Sequence, residues 1–389
     1  MNILFCNTSN VSEIKGGTER ITARISKGLT DRGHRCFLAY KMEIDASLPI
    51  TKFVASINVT KESLEDFILA NEINAIIVQK MTRDVKKMYA IRKKHRLKFK
   101  IFTVLHFNPG YEELSATFKS FYTGLAHFSN VSEYLKDAIR TSTYPLYKSF
   151  YPLRNKELYR TVYRYSDKVI LLSDSFIQNY VNYAGLQDEG KFYVIPNALS
   201  YSVFLKNEDL DKKSRQVLIV SRMEETPKRI SIALKVWKSV EEDGGLADWN
   251  MVIVGEGKDL GNYKRLKDSL NLRRVDFVGR QQPQKYYEQS RVFLMTSTHE
   301  GWGLTLTEAQ QFGCVPIAFD TYASLRDIIT DGTNGIIIPE AETELYARKL
   351  KELMSDDYVW KNMAKNAIKS SARFSIKHVI NLWENLLSN

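Results

Sequence analysis

The chain has 389 residues, of which 44% are hydrophobic and 26% charged. That composition belongs to a folded globular protein and excludes a disordered one, and the length is too great for one hydrophobic core, so two domains are expected. The formal net charge of +11 favours anionic partners such as phosphates or an acidic membrane surface; with no RNA-recognition signature, zinc finger or basic zipper, nucleic acid is not an expected partner.

The start, "MNILFCNTSN", lacks the basic beginning and long apolar stretch of a signal peptide, and no apolar run anywhere approaches the ~20 residues of a membrane span. It reads as a first strand, and the protein as cytoplasmic. The helix predicted from near Thr18 carries Ile21, Ile25 and Leu29 on one face and ends at Gly33. "CFLAY" (36–40), "AIIVQ" (75–79), "KIFTVLH" (100–106) and "KVILLS" (168–173) are further apolar strands separated by helix-length segments. The second half repeats the alternation: "QVLIVSR" (216–222), "MVIVGEG" (251–257), "VDFVG" (275–279), "VFLMTS" (292–297), "VPIAFD" (315–320) and "NGIIIP" (334–339). Strand and helix in alternation give a parallel sheet with helices on both faces. The expected architecture is therefore α/β, with two doubly wound Rossmann-like domains whose strand ends face a cleft, joined within 196–213. The tail "FSIKHVINLWENLLSN" is an amphipathic helix with Ile376, Val379, Ile380, Trp383 and Leu387 on or near one face. Cys6, Cys36 and Cys314 lie far apart without zinc-ligand spacing and are expected to be buried thiols.

Chemistry concentrates in "THEGWGLTLTEAQ" (298–310), a glycine-rich loop that runs from a strand end into a helix. Helix N-termini offer unpaired amides and a partial positive charge, and glycine lets a diphosphate approach them. Glu308 is placed to accept hydrogen bonds from a ribose diol, and Glu300 to meet hydroxyls at the far end of a ligand. A nucleotide-sugar has that layout. The competing reading makes Thr298 and Glu300 a helix cap and Glu308 solvated surface. Arg222 and Lys228 follow another strand end and fit a diphosphate clamp, or else a solvated basic loop. "KGGTER" (15–20) sets Gly16 and Gly17 before a helix, a second close-approach loop or an ordinary turn.

With "GGTERI", "RGHRC", "VLHFN" and "VIPNAL" in the first half, and "VSRMEETPKRI", "VIVGEG", "VDFVGR" and "STHEGWGLTLTEAQQFGCVPIAFDTYASLRDIITDGTNGIIIP" in the second, the chain resembles the retaining glycosyltransferases of family 4, which have the GT-B fold. The resemblance implies an acceptor-side domain of residues 1–205 and a donor-binding domain of residues 206–374, with a C-terminal helix, 375–389, crossing back to the first. It implies a nucleotide-sugar donor, a UDP-sugar, with Glu308 at the ribose, Glu300 against the donor sugar, and the amides around Gly303 and Leu304 at the phosphates. Arg222 and Lys228 match the basic pair at the diphosphate, Gly16 and Gly17 the loop under it, and His106 a histidine near the transferring carbon. The spacing from Arg222 is one residue longer than the common pattern, so Lys228 and Arg229 both compete for the second cation, and Ser221 stands where glycine is usual.

The family's reaction retains the anomeric configuration, and a same-face displacement is the working hypothesis. No cofactor is expected beyond the donor. No metal is expected either: "DLD" (209–211) imitates a metal motif but lies in a charged linker. The expected acceptor is a glycan or a lipid-linked molecule in cell-surface polysaccharide or glycolipid synthesis. "RDVKKMYAIRKKHRLKFK" (83–100) and "YPLYKSFYPLRNKELYRTVYRY" (144–165) combine basic and aromatic side chains, which suits an anionic membrane surface at the inner face, or a solvated helix beside a packed one. The rivals are a nucleotide-sugar epimerase of the same fold and a non-catalytic nucleotide-sugar or polyanion binder.

Overall fold

A computed structural model divides the chain into two units, residues 1–195 with 384–389, and residues 196–383. It describes residues 1–13, 16–43, 49–110, 113, 135, 138–139 and 141–388.

The first unit holds a seven-stranded sheet in the order β3-β2-β1-β4-β5-β6-β7. Its strands are β1 (Asn2–Cys6), β2 (Arg35–Tyr40), β3 (Ser56–Asn58), β4 (Ala75–Val78), β5 (Lys100–Leu105), β6 (Lys168–Leu171) and β7 (Phe192–Val194). Every pairing is parallel; Ile3, for example, sits opposite both Cys36 and Ala75. Parallel strands are covered on both faces, and this is why β4 is buried along its whole length and reads as an uninterrupted apolar run. Helix α1 (Gly17–Thr30) buries Ile21, Ile25 and Leu29, whose four-residue spacing makes one stripe. Two strands, β3 and β7, have no counterpart in the predicted elements. Each has three residues and lies at an edge of the sheet, too short to show a period.

The second unit holds a six-stranded parallel sheet, β10-β9-β8-β11-β12-β13, from β8 (Ser214–Val220), β9 (Asn250–Val254), β10 (Val275–Phe277), β11 (Ser290–Met295), β12 (Val315–Phe319) and β13 (Ile336–Ile338). In both sheets the order reverses beside the first strand, between β1 and β4 and between β8 and β11. Loops leaving the carboxyl ends of strands at such a reversal splay apart, and that crevice is where ligands bind in doubly wound sheets.

The last helix, Ile376–Ser388, buries Val379, Ile380, Trp383 and Leu387, the apolar face foreseen. Its end, from Glu384, belongs to the first unit, where Glu384 pairs with Arg32 and lies 3.5 Å from His34. All three cysteines are buried, and burial pushes each thiol up. Asp209 and Asp211 are held by Lys212 and Lys361, each at 2.6 Å. The basic stretch forms α2 (Val85–Lys94), whose Val85, Met88 and Ile91 are buried. Part of its charge is paired: Arg92 meets Asp167 at 2.5 Å, and Lys94 and His95 meet Glu65 at 2.7 and 2.6 Å. The helix Tyr144–Tyr165 buries Tyr159, Val162 and Tyr163 and leaves Phe150 and Leu153 exposed. Among the described residues no helix is long and apolar enough to cross a membrane.

Candidate functional site

Three loops of the second unit converge at the reversal between β8 and β11. The first follows β8. Its residues Ser221–Met223 lie flat on the turn after β9: Ser221 N–H donates to Val254 O at 3.0 Å, and Met223 N–H to Glu256 O at 2.9 Å. The contact is so close that a Cβ on Gly255 would stand 1.9 Å from Ser221 O, and φ there is +141°. Only glycine fits, which gives "VGEG" a physical role: it seats the loop that carries Arg222. Arg222 itself is 70% exposed and reaches only as far as Glu224, at 3.4 Å.

The second loop, Glu224–Arg229, is stitched to the end of β11. Pro227 O accepts from Thr298 N–H at 2.8 Å, and Thr296 Oγ1 donates to Lys228 O and Arg229 O at 2.9 and 3.0 Å. The two competing cations part here. Arg229 turns inward, donates to Thr296 O at 2.8 Å and lays its guanidinium over Phe319 at 5.4 Å. Lys228 points its ammonium at Glu300, 2.5 Å from Oε1, and both side chains are mostly buried (16% and 15% exposed). Ser297 Oγ donates to the same carboxylate oxygen at 2.7 Å.

The third loop runs from Glu300 into the helix Leu304–Gln311, with Gly303 at its N-cap in the left-handed region, φ +92°. A Cβ there would stand 3.1 Å from the Tyr322 hydroxyl. By helix geometry the amides of Leu304 and Thr305 have no carbonyl behind them inside the helix. Trp302 anchors the turn by packing edge-on against Phe374 at 5.2 Å. Lys228, Glu300 and Thr305 line one small pocket. Glu308 lies one turn on, fully buried. One carboxylate oxygen accepts from Ser200 Oγ and the other from Tyr287 OH at 3.0 Å. The structure thus gathers Lys228, Glu300, Gly303 and Leu304, leaves Arg222 in solvent, and sets Glu308 behind them.

In the first unit, Gly16 caps α1, and a Cβ on it would meet Glu19 Oε2 at 2.8 Å. Glu19 pairs with Lys80 at 2.8 Å, just past β4. His106 follows β5, nearly buried, with Nε2 2.6 Å from Gln79 Oε1. Burial first, then the Lys80 ammonium, push its imidazolium down to about 3 against the opposing pull of Glu19. The ring is neutral at physiological pH, so Nε2 carries the hydrogen toward Gln79 and Nδ1 is left as an acceptor. Glu19, Lys80 and Gln79 were not singled out from sequence. The one available signal was a glutamine closing the apolar run "AIIVQ" at a strand's carboxyl end.

A depressed histidine has a consequence for stability. Below its ordinary value of 6.5 the unfolded chain takes up a proton that the folded chain refuses until about 3. Stability contributed by neutral His106 is therefore complete above about pH 6.5 and is lost as pH falls, by up to about 1.4 kcal/mol per pH unit. Urea unfolding at pH 7 and pH 5 should show wild type losing about 2 kcal/mol more than His106→Gln over that interval. Equal losses would mean His106 is not held neutral.

Residues 203–370 match the family model described as Glycosyl transferases group 1. The chain is similar to the amylovoran biosynthesis glycosyltransferase AmsD of Erwinia amylovora, 28% identical over 179 residues, which cover 46% of this chain and 49% of that protein. It is similar also to the poly(glycerol-phosphate) alpha-glucosyltransferase of Bacillus subtilis, 22% identical over 232 residues, 59% of this chain and 34% of that one. The chain spans about half the length, or less, of these curated relatives. Among solved structures it is similar to Anabaena HepE in complex with UDP-glucose, with a TM-score of 0.70, both chains covered in full, and 18% identity. At that identity the likeness is one of fold, and the fold is GT-B, as the sequence led us to expect.

Proposed function

We propose, from the match of residues 203–370 to the model of glycosyl transferases group 1, that the chain moves a sugar from a UDP-sugar to a glycan or lipid-linked acceptor with retention at the anomeric carbon. The observation that carries this reading is the Lys228–Glu300 pair, set against the open N-terminus of the helix Leu304–Gln311 at the β8/β11 reversal. A diphosphate there would meet helix amides and an ammonium, and Arg222, exposed and touching Glu224 at 3.4 Å, could swing onto it. The donor base is assigned as uracil because HepE, of the same fold, is described with UDP-glucose.

In the proposed reaction the bond from the anomeric carbon to the phosphate oxygen breaks as the acceptor hydroxyl attacks from the same face. The acceptor's proton passes to the departing phosphate, and Lys228, Arg222 and the helix amides stabilise the charge that builds there. Glu300 takes the sugar hydroxyls when Lys228 turns to phosphate. The first unit serves the acceptor, with His106 Nδ1 available to a hydroxyl. Exposed Phe150 and Leu153, beside Lys148 and Arg154 on one helix, support an anionic membrane surface as a further partner. Flotation with anionic but not neutral vesicles is the expected result, and equal, negligible flotation with both would remove that partner.

The reading is tested by thermal stabilisation with UDP, GDP and ADP. A ligand at 100 times its Kd adds about 2.7 kcal/mol, and UDP alone is expected to do so. No shift from any nucleotide at millimolar concentration would sink the donor assignment.

A further inference from the structure

A cavity of about 160 Å³ lies in the first unit beside His106, and nothing in the donor chemistry uses it. Its walls are mainly Val104, Phe107, Leu158, Tyr159, Val162 and Tyr180, drawn from β5, the turn after it and two helices. Several of the polar groups at its edge are already bonded. Tyr180 OH donates to Tyr159 O at 2.7 Å, and Thr103 Oγ1 meets Ser166 Oγ at 2.7 Å. Gln79 is the exception. It is 2% exposed and gives Oε1 to His106, while its Nε2, which can donate two hydrogens, has no partner among the described residues. Buried amide donors are almost always paired, so an orphan that lines a cavity points to something absent that supplies an oxygen.

Size and polarity narrow what that is. A cavity of about 150 Å³ with apolar walls stays dry and takes up benzene. A sugar ring would bring hydroxyls on every side into walls that, among the described residues, offer mainly the Gln79 amide, and each unmatched hydroxyl would count against binding. We propose that this pocket binds an apolar group of roughly six to eight heavy atoms bearing one hydrogen-bond-accepting oxygen, and that the group is the apolar aglycone of the acceptor. The oxygen meets Gln79 Nε2, and the pocket holds the acceptor so that its sugar emerges at His106. Gln79 is then a specificity residue, and an acceptor on an aryl or branched alkyl carrier is preferred to a free glycan. Only the assignment to the acceptor rests on the transferase reading; the pocket itself does not.

The test uses the full chain with 4-fluorobenzyl alcohol and 4-fluorotoluene, followed by ¹⁹F NMR. The alcohol should bind the more tightly of the two. Leu158→Trp fills the pocket and should weaken it at least tenfold, with Val162→Phe as a second filling variant should the first not fold. Gln79→Leu should bring the alcohol down to the level of the toluene and leave the toluene unchanged. A probe that fails to bind, or that binds both filled variants as it binds wild type, overturns the pocket. UDP stabilisation is recorded on the same samples, because the two ideas fail separately. Probe binding without a UDP shift removes the acceptor assignment and keeps the pocket; a UDP shift without probe binding removes the pocket and the assignment with it, and leaves the donor reading standing. Where transfer is measurable, the alcohol should compete with acceptor and not with donor, and competition with donor would overturn the assignment.

Discussion

Replacing Lys228 with methionine is expected to lower kcat/KM for sugar transfer by about 10²–10³-fold in a protein that still folds. The ammonium lies against Glu300, 2.5 Å away, in the pocket it shares with Thr305 of the helix N-terminus, and methionine keeps the stem while removing the charge. The change also strands the Glu300 carboxylate, mostly buried, with the hydrogen bond from Ser297 Oγ left to it. Stability should therefore fall, by roughly 3–5 kcal/mol for one broken, largely buried pair. This creates an ambiguity, because a slow enzyme and a loosened one look alike in a single assay. The double variant Lys228→Met with Glu300→Gln separates them. Glutamine is neutral and still accepts from Ser297, so most of the stability should return, while transfer should not. UDP stabilisation should drop in both variants by about 1.5–3 kcal/mol, the worth of a hydrogen bond to a charged group. Transfer within threefold of wild type in Lys228→Met would remove Lys228 from the proposed mechanism.

The sequence shows the frame of this site better than its wiring, for physical reasons. Strands buried on both faces leave long apolar runs, and β1, β4, β5, β8, β9 and β11 are legible on that ground alone. Glycine before a helix is legible too, because few other residues tolerate the backbone that Gly303 adopts at φ +92°. What stays hidden is pairing across long stretches of chain. Gly255 and Gly257 read as a turn, yet they are fixed by Ser221 and Met223, more than thirty residues earlier. Arg229 and Lys228 are neighbours with equal claims until the positive φ of Arg229, +48°, turns one toward Thr296 and leaves the other to Glu300. Gln79 and His106 meet because β4 and β5 pair in parallel register, which no local pattern encodes. Glu308 was expected to offer its carboxylate to a ribose, and its two hydroxyl partners lie 108 and 21 residues away.

Glu308→Ala should therefore cost stability before it costs binding. The side chain is fully buried, and its carboxylate accepts from both the Ser200 and the Tyr287 hydroxyls. Alanine removes both acceptors at once. With a buried donor left unsatisfied at roughly 1–3 kcal/mol each, the loss should be about 2–6 kcal/mol, readable as a lower urea midpoint. Any fall in UDP binding by that variant would be uninterpretable, because the fold around the helix Leu304–Gln311 changes with it. Glu308→Gln is the discriminating variant. It is nearly isosteric and keeps one acceptor oxygen, and a rotated hydroxyl can accept from the new amide, so it should lose only about 1 kcal/mol. For Glu308 to hold a ribose, the diol must take the place of one hydroxyl partner, and a carboxylate accepts from two hydroxyls better than an amide can. UDP should then bind Glu308→Gln about tenfold more weakly than wild type, with the free protein almost as stable. If UDP binds both equally while Glu308→Ala unfolds early, Glu308 is a strut between Ser200 and Tyr287, and the ribose contact belongs to another residue.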